Sequence, residues 1–287
     1  MLLKNKIITL LTIAALSLMI VSCGQKEDVK EAKLVYVNWA GTIAMTNLAS
    51  AVLQNKMGYK VKMTSADVGP VYASLASGDQ DAFMGSWLPV THESYLEEYG
   101  EKVIDLGYNF EGAKIGLVVP AYVDATTISD LNNVKNELKG EIIGIDSGAG
   151  IMKATEKAIP GYELDLKLIP SSGPAMTAAL KTAIDANESI VVTGWKPHWK
   201  FARFDLKFLE DPKGIYGDIE NIHTIAKKAL PEEKPEFAQF LKNFKLDNDQ
   251  LSSLMDKIEK GSGDPYDAAV EWMNENSSVV EGWIPKK

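Results

Sequence analysis

The chain has 287 residues, of which 46% are hydrophobic and 24% are charged, and its formal net charge is −9 at pH 7. This length supports a sizeable hydrophobic core and permits two lobes. The negative charge disfavours nucleic acids and anionic lipid headgroups as partners, because both are polyanions. It is compatible with a cationic or zwitterionic ligand, although a solvated acidic surface is the simpler explanation.

The N-terminus has the pattern of an export signal over residues 1–22. Lys4 and Lys6 precede an apolar run, 7–21, which matches the core of a signal peptide and is short for a membrane span. The run ends in Ile-Val-Ser-Cys23, which resembles a bacterial lipoprotein signal that is cut before the cysteine. The resemblance implies a lipid on Cys23, and an ordinary signal peptide with an incidental cysteine is the alternative.

Residues 23–33 are then expected to be a lipidated cysteine and a short polar tether. The lipid would hold the exported protein on the extracytoplasmic face of the cell membrane. Because Cys23 is the only cysteine in the sequence, the folded part has no internal disulfide and must be stabilised by its core.

From Leu34 onward, strand-like segments alternate with helix-like segments. Short β-rich runs bounded by turn residues predict the strands, and apolar residues at helical spacing predict helices between them. This alternation is typical of an α/β fold with largely parallel sheets. The predicted strands are 34–38, 59–64, 82–85, 141–145, 165–169 and 189–193, and the predicted helices are 42–56, 69–77, 151–158 and 174–186.

The tail after Pro231 is helical by pattern, in three pieces. Asp264 and Pro265 would begin the last piece, as its N-cap and its first helical residue. Trp272 on that helix and Trp283 near the terminus are expected to pack in the core rather than to contact a ligand.

Two stretches of the sequence are similar to each other. Gly69-Pro70 is followed by Ser-Trp87-Leu-Pro, and Gly173-Pro174 is followed by Gly-Trp195-Lys-Pro. An internal repeat predicts two similar lobes with a ligand cleft between them, and coincidence between two short matches is the alternative. The predicted lobes are 34–117 with 226–287 and 118–225, and the chain would cross between them at 115–123 and 221–229.

Three tryptophans, Trp39, Trp87 and Trp195, stand just after strand-like runs. Ligands of α/β proteins bind at the ends of strands. Trp is also the best aromatic partner for a cation that cannot donate a hydrogen bond. The three side chains therefore predict a cage for a quaternary ammonium group, with core packing as the alternative.

Two features could bind a carboxylate. His92 follows Trp87 by five residues, at the expected start of a helix, and could donate a charge-assisted hydrogen bond. The segment 146–151 joins a strand to a helix, and its small residues, Gly150 among them, would let backbone N–H groups approach an anion. A capping histidine and an ordinary turn are the alternatives. A cation cage beside a carboxylate site predicts a zwitterionic ligand, and glycine betaine is the smallest such molecule.

Three motifs together resemble the glycine betaine-binding lipoproteins of bacterial ABC importers. They are Trp-Leu-Pro-x-Thr-His within 82–92, Gly-Ile-Asp-x-Gly-x-Gly-Ile-Met within 143–152, and Thr-Gly-Trp-x-Pro-His-Trp at 193–199. The likeness extends over almost all of the chain after the tether, from Leu34 to Trp283. The resemblance implies a two-lobed periplasmic-binding-protein fold of type II in an α/β protein. It also implies a monomer that works with a membrane permease and needs no cofactor.

The same resemblance assigns the site. An aromatic cage would hold the cationic end of the ligand, and a histidine with two backbone amides would bind its carboxylate. The residues that match the family's cage are Trp39, Trp87 and Trp195, and those that match its carboxylate site are His92, Gly150 and Ile151.

One departure from the family pattern affects the ligand. Many members have an acidic residue directly after the first tryptophan, whereas Ala40 stands there in this chain. The related choline binders use an acid near that tryptophan, so choline is disfavoured, whereas proline betaine and carnitine compete with glycine betaine as the expected ligand. His198 and Trp199 are expected to pack in the core or at the rim of the cleft.

Two other classes of function compete with a binding protein. A hydrolase or transferase is disfavoured, because the sequence has neither a Gly-x-Ser-x-Gly nor a His-Glu-x-x-His motif and its one cysteine is at the expected lipidation site. A structural or adhesive lipoprotein would bind no small ligand, so a measured affinity for a betaine separates it from the binding protein.

Overall fold

A computed structural model describes residues 30–261 and 263–286. The expected signal peptide, Cys23 and most of the tether lie outside the described residues. Within the two described ranges, no helix is both long enough and apolar enough to cross a membrane.

The described residues form strands and helices that alternate through most of the chain. The strands are β1 Glu31–Tyr36, β2 Lys60–Ser65, β3 Ala82–Leu88, β4 Val103–Pro120, β5 Glu141–Ile143, β6 Lys167–Ile169, β7 Val192–Lys196, β8 Leu206–Phe208 and β9 Glu220–Lys227. The helices are α1 Ala40–Met57, α2 Val68–Ser77, α3 Glu93–Tyr99, α4 Gly150–Gly161, α5 Gly173–Asp185, α6 Lys200–Arg203, α7 Leu230–Glu233, α8 Pro235–Asn243, α9 Asn248–Lys260, α10 Pro265–Glu275 and α11 Ser277–Glu281. A 3₁₀ turn covers Ile128–Asn132.

The strands pair in the order β2-β1-β3-β9-β4-β7-β5-β6, and β8 pairs with β4. Strand β1 pairs in parallel with β2 and β3. Strand β5 pairs in parallel with β6 and β7, and the alternating pattern predicts both arrangements. The middle of the sheet is antiparallel, because β9 pairs with both β3 and β4, and β4 pairs with β7. The prediction of largely parallel sheets is therefore wrong for the middle strands.

The long strand β4 changes partners along its length. It pairs with β9 from Val103 to Ala113 and with β7 from Lys114 to Val118. Bulges interrupt its ladder with β9, which explains why no regular alternation marks this strand in the sequence.

Pairing with β4 also displaces one predicted strand. The strand expected at 189–193 forms at Val192–Lys196 instead, because its antiparallel ladder with β4 continues past the end of the apolar run. Trp195 consequently lies within a strand, and Trp87 lies within β3 in the same way. Only Trp39 among the three follows a strand, and it is the N-cap of α1.

Helix α1 lies in the centre of its part of the fold. It is buried on nearly all sides, because strands β1 and β3 cover one face and helices α9 and α10 cover another. The tail after Pro231 forms four helices rather than three, since Asn276 interrupts the last piece. Asp264 caps α10 as expected, with its carboxylate accepting the Tyr266 N–H at 2.9 Å.

A buried ion cluster fixes the start of β3. The Asp81 side chain is 1% exposed and contacts Lys227 Nζ at 3.0 Å and Lys234 Nζ at 2.6 Å, and it accepts the Lys33 backbone N–H at 2.8 Å. Burial alone raises the pKa of Asp81, but the hydrogen bonds from Lys234, Lys33 and Lys227 outweigh it and hold the pKa below its usual value. The carboxylate thus joins β1, β3, β9 and the start of α8.

We expect the substitution Asp81→Ala to lower the free energy of unfolding by about 3 kcal/mol at neutral pH, because it leaves two half-buried ammonium groups without their shared partner. The control is Glu271→Ala, which removes one exposed partner of Lys257 and should cost less than about 1 kcal/mol. Urea unfolding measures both values.

The pH dependence gives a second readout for Asp81. A depressed pKa contributes stability that is present above the unfolded-state pKa of about 4 and is lost as the pH falls through the folded-state pKa. The difference between parent and Asp81→Ala should therefore shrink on acidification. Equal stability of the two proteins at neutral pH would contradict the role given to this cluster.

Candidate functional site

One pocket brings together all six residues that the sequence singles out. It encloses about 500 Å³ of empty space, part of which is open to solvent. The predicted residues on its wall are Trp39, Trp87, His92, Gly150, Ile151 and Trp195.

Trp39 is held in place through both its edge and its face. Its Nε1–H donates to Asp146 Oδ1 at 3.0 Å, and its ring stacks on His92 with the centroids 5.8 Å apart and the planes at 18°. Burial raises the pKa of Asp146, and the hydrogen bond from Trp39 opposes this rise. An acid therefore does contact Trp39, and the segment 146–151 supplies it rather than the residue that follows Trp39.

Trp87 and Trp195 enter the pocket from two neighbouring ladders of the sheet. Trp87 on β3 is directly opposite Ile222 on β9, and Trp195 on β7 is directly opposite Ile115 on β4. Residues opposite each other in an antiparallel ladder share a face. Both isoleucines accordingly line the pocket, each beside its tryptophan.

Ile115 and Ile222 are pocket residues that sequence reasoning missed. Nothing in their local sequence marks them, because each is one apolar residue within an ordinary strand. The register of two antiparallel ladders brings them to the pocket, and that register depends on the fold.

His92 is buried, with 1% of its surface exposed, and its two ring nitrogens have different roles. The Trp87 backbone N–H donates to Nδ1 at 2.9 Å, so Nδ1 carries no proton and Nε2 carries it. The Nε2 atom is buried and has no partner among the described residues. A buried N–H without an acceptor is costly, so this atom is suited to a ligand that brings an acceptor into the pocket.

The imidazole of His92 is neutral. Burial lowers the pKa of His92 to about 3, and Lys153 contributes a smaller effect in the same direction. Across the physiological range, His92 therefore offers an uncharged N–H donor. Any charge in a hydrogen bond at Nε2 would have to come from the acceptor.

Glu220 at the start of β9 fixes the turn that leads into His92. Its buried carboxylate accepts the backbone N–H groups of Val90 at 2.7 Å and Thr91 at 2.8 Å, and it also bonds the Thr91 hydroxyl. Because the turn is tied to the sheet in this way, the backbone that supports His92 is rigid. Sequence reasoning did not find Glu220, which lies 128 residues after His92 in the chain.

The start of helix α4 provides the second group of donors. Gly150 and Ile151 belong to its first turn, where backbone N–H groups have no acceptor within the helix, and the N-cap Ala149 has no side chain that could supply one. The positive end of the helix dipole lies at the same place. These amides are therefore suited to an anion.

A glycine at position 150 is required by close packing. A Cβ there would overlap the Thr91 carbonyl oxygen and the Thr91 methyl group. The first turn of α4 is thus pressed against the residue that precedes His92. This contact places the first turn of α4 beside the backbone that leads into His92, and both line the same pocket.

A second cavity lies next to the first and shares only Trp195 with it. It encloses about 900 Å³, part of it open to solvent, and its wall includes His198 and Trp199. Neither of these two residues lines the pocket that contains His92. Trp272 and Trp283 line neither cavity and are buried among the C-terminal helices, where Trp272 Nε1–H donates to Ser253 Oγ at 2.8 Å.

The sequence matches over residues 30–275 a family model described as the substrate binding domain of ABC-type glycine betaine transport system. Among solved structures, the chain is similar to the glycine/betaine/L-proline-binding protein ProX of Borrelia burgdorferi, with a TM-score of 0.86, 40% identity, and coverage of 90% of this chain and 97% of that one. It is also similar to lactococcal OpuAC in its closed form complexed with glycine betaine, with a TM-score of 0.84, 40% identity, and coverage of 89% and 100%.

A further relative is the glycine betaine/carnitine transport binding protein GbuC of Listeria monocytogenes, which is 49% identical over 145 residues. That alignment covers 50% of this chain and 48% of GbuC, so the chain spans about half the length of this relative.

The likeness to ProX and OpuAC confirms the predicted α/β fold of periplasmic binding proteins. The family match also confirms the prediction of a substrate-binding protein of an ABC importer rather than an enzyme. Because the matched range covers well over half of its residues, the chain belongs to the family of substrate-binding domains of ABC-type glycine betaine transport systems.

Proposed function

We propose that this chain binds glycine betaine in the pocket between Trp39, Trp87 and Trp195 and delivers it to the permease of an ABC importer. The observation that carries this proposal is the buried, unpartnered Nε2–H of His92 in the same pocket as three tryptophans. An aromatic wall suits a quaternary ammonium group, and an N–H donor without an acceptor suits a carboxylate. A betaine has both groups.

The tryptophans would bind the cationic end. A trimethylammonium group has no N–H, so conventional hydrogen bonds cannot hold it, and the faces of aromatic rings attract it instead. Each such contact contributes up to about 2 kcal/mol where water is excluded. The residues Trp39, Trp87 and Trp195 are 7%, 7% and 6% exposed, so little water reaches them.

The carboxylate end would supply the remaining affinity. Micromolar binding needs about −8 kcal/mol, which exceeds the contribution of three aromatic faces. The Nε2–H of His92 and the amides of Gly150 and Ile151 would each donate to the carboxylate, in bonds strengthened by its charge. Ligands with only a hydroxyl at this end, choline among them, would gain less from the same donors.

The proposed ligand would join two lobes. We divide the folded chain into 34–117 with 226–287 and 118–225, as the internal repeat suggests. Trp39, Trp87 and His92 then belong to the first lobe, and Gly150, Ile151 and Trp195 belong to the second. A ligand held by residues from both lobes favours their closed arrangement, and recognition of that arrangement by a permease makes uptake selective.

Direct contacts between the proposed lobes support a closed arrangement of this kind. Trp39 Nε1 donates to Asp146, and the Tyr95 hydroxyl donates to the Gly148 carbonyl at 2.8 Å. Opening the cleft would break both bonds and expose the cage.

We further propose that the protein acts as a monomer on the extracytoplasmic face of the membrane, held there by a lipid on Cys23. The lipoprotein-like signal before Cys23 supports the anchor. Mass spectrometry of the protein from its native membrane tests it: a diacylglycerol-modified Cys23 at the N-terminus supports the anchor, and an unmodified cysteine contradicts it.

Isothermal titration calorimetry with a panel of ligands tests the ligand itself. We expect saturable binding with glycine betaine tightest, followed by proline betaine and then carnitine, and with choline weaker. Neighbouring ligands in this series that differ by about one methylene should differ by about 1–3 kcal/mol. Absence of saturable binding at millimolar glycine betaine would overturn the proposal and leave a structural lipoprotein as the better account.

The cage predicts the effect of single tryptophan substitutions. We expect Trp87→Ala and Trp195→Ala each to raise the Kd for glycine betaine at least about tenfold, because each removes one aromatic face and admits water. The control is Trp199→Ala, which changes a tryptophan outside this pocket and should leave the Kd within about threefold. Calorimetry on proteins with parental melting temperatures measures these values, and an unchanged Kd in both cage variants would contradict the cage.

His92 predicts a ligand-dependent effect. We expect His92→Ala to raise the Kd for glycine betaine about tenfold or more, because a hydrogen bond to a charged group contributes about 1.5–3 kcal/mol. The Kd for choline, which has no carboxylate, should change much less in the same variant. Choline is therefore an internal control for general damage to the pocket, and an equal loss for both ligands would refute the role of His92.

A further inference from the structure

Lys200 is the first residue of helix α6. Its side chain is buried, can carry a positive charge and lines neither cavity. It is 0% exposed. Its Nζ lies 4.3 Å from the ring centroid of Trp195 and has no hydrogen-bond partner among the described residues. The backbone of Gly194 adjoins it, since a Cβ built there would be 3.7 Å from Nζ.

A lysine in this position can readily lose its proton. An ammonium group that is removed from water and has no carboxylate partner is destabilised relative to the neutral amine. Burial accordingly lowers the pKa of Lys200 to about 7. Both protonation states are therefore accessible near neutral pH.

The titratable groups around α6 do not offset the effect of burial on the pKa of Lys200. On the preceding turn, His198 accepts the Lys200 backbone N–H at Nδ1, at 3.1 Å, and burial lowers the pKa of His198 well below its usual value, so it is neutral. From the sheet side, the charged neighbours are further lysines. The Nζ of Lys196 on β7 lies 4.6 Å from the centroid of the Phe201 ring. Burial and the charge of Lys196 both lower the pKa of Lys114 on β4.

Acidic groups do approach α6, from α9, but they contact a different residue. Asp256 and Glu259 lie 3.8 Å and 3.4 Å from the guanidinium of Arg203. Within the described residues, no carboxylate lies within 4.0 Å of the Lys200 ammonium. When it is protonated, Lys200 therefore depends on aromatic rings for stabilisation, chiefly on Trp195 at 4.3 Å and more weakly on Phe201 at 5.7 Å from Nζ to the ring centroid.

We propose that Lys200 is a positioning residue that sets the affinity of the pocket, because its proton and the cationic end of the ligand compete for the Trp195 ring. The proposal rests on the function proposed above, in which Trp195 is one wall of the cage. Lys200 does not line the pocket, so the ligand would meet the part of the ring that Lys200 leaves free.

Competition follows from the electrostatics of the ring. A cation over one face of an indole draws electron density towards itself, so the ring attracts a second cation less strongly. The two positive charges also repel each other in surroundings from which water is largely excluded. A neutral Lys200 avoids both effects, so ligand binding favours the unprotonated amine and releases its proton.

Calorimetry across a pH series tests this coupling in the parent protein. We expect the Kd for glycine betaine to rise by up to about tenfold between about pH 8 and pH 6, because a proton that must leave weakens binding tenfold for each pH unit below its pKa. Near pH 6.5, titrations in buffers of different ionisation enthalpy should report release of about half a proton or more per ligand bound.

Two variants assign the proton to Lys200. Lys200→Met keeps most of the length of the side chain without the charge, and its Kd should be independent of pH and tighter than the parental Kd at low pH. Lys196→Met, on the neighbouring strand, should keep the parental pH profile. His92 titrates far below this range, and Asp146, whose pKa is raised by burial, is unchanged in both variants.

A direct measurement on the parent protein tests the coupling without requiring that the variants fold. Side-chain nitrogen NMR of the parent should detect a Lys200 titration near 7 without ligand and at lower pH with saturating glycine betaine. Any one of three results would overturn this proposal alone. The parental Kd does not vary with pH, the pH dependence of the Lys200→Met Kd equals the parental one, or ligand does not lower the pKa of Lys200. Absence of betaine binding at every pH would overturn the proposed function as well.

Discussion

The hydrogen bond from the Trp87 backbone to His92 Nδ1 determines the polarity of the pocket. It fixes the proton on Nε2, and burial keeps the ring neutral, so the pocket wall contains one uncharged donor of defined position. The proposed carboxylate site relies on this donor. Glu220 holds the turn before His92, and Gly150 packs on Thr91, so that the first turn of α4 lies beside the backbone that leads into His92.

The aromatic part of the site depends on the sheet rather than on loops. Trp87 and Trp195 are in strands, and each has an isoleucine opposite it in an antiparallel ladder. Trp39 is outside the sheet, and its orientation comes from Asp146 and from stacking on His92. Strands hold two walls of the proposed cage, whereas the third wall depends on stacking and on a hydrogen bond that spans 107 residues of sequence.

Much of this could be predicted from the sequence, because the signals are local. Alternating strand and helix patterns identify the α/β fold, and Trp39 together with the motifs around Trp87, Gly150 and Trp195 identifies six of the residues that line the pocket. The rest depends on long-range pairing. Ile115, Ile222 and Glu220 have no local signature, and the neutral state of His92 follows from burial that only the folded chain creates. The antiparallel middle of the sheet was missed for the same reason, since bulges in β4 hide its periodicity.

We propose that one pocket holds a zwitterion with its two ends in defined places. A crystal structure of the protein with glycine betaine tests this most directly. We expect the ammonium nitrogen within about 6 Å of the ring centroids of Trp39, Trp87 and Trp195. We also expect carboxylate oxygens at about 2.7–3.2 Å from His92 Nε2 and from the first-turn amides of α4. A ligand bound the other way round, or bound beside Trp199 in the second cavity, would contradict the proposal.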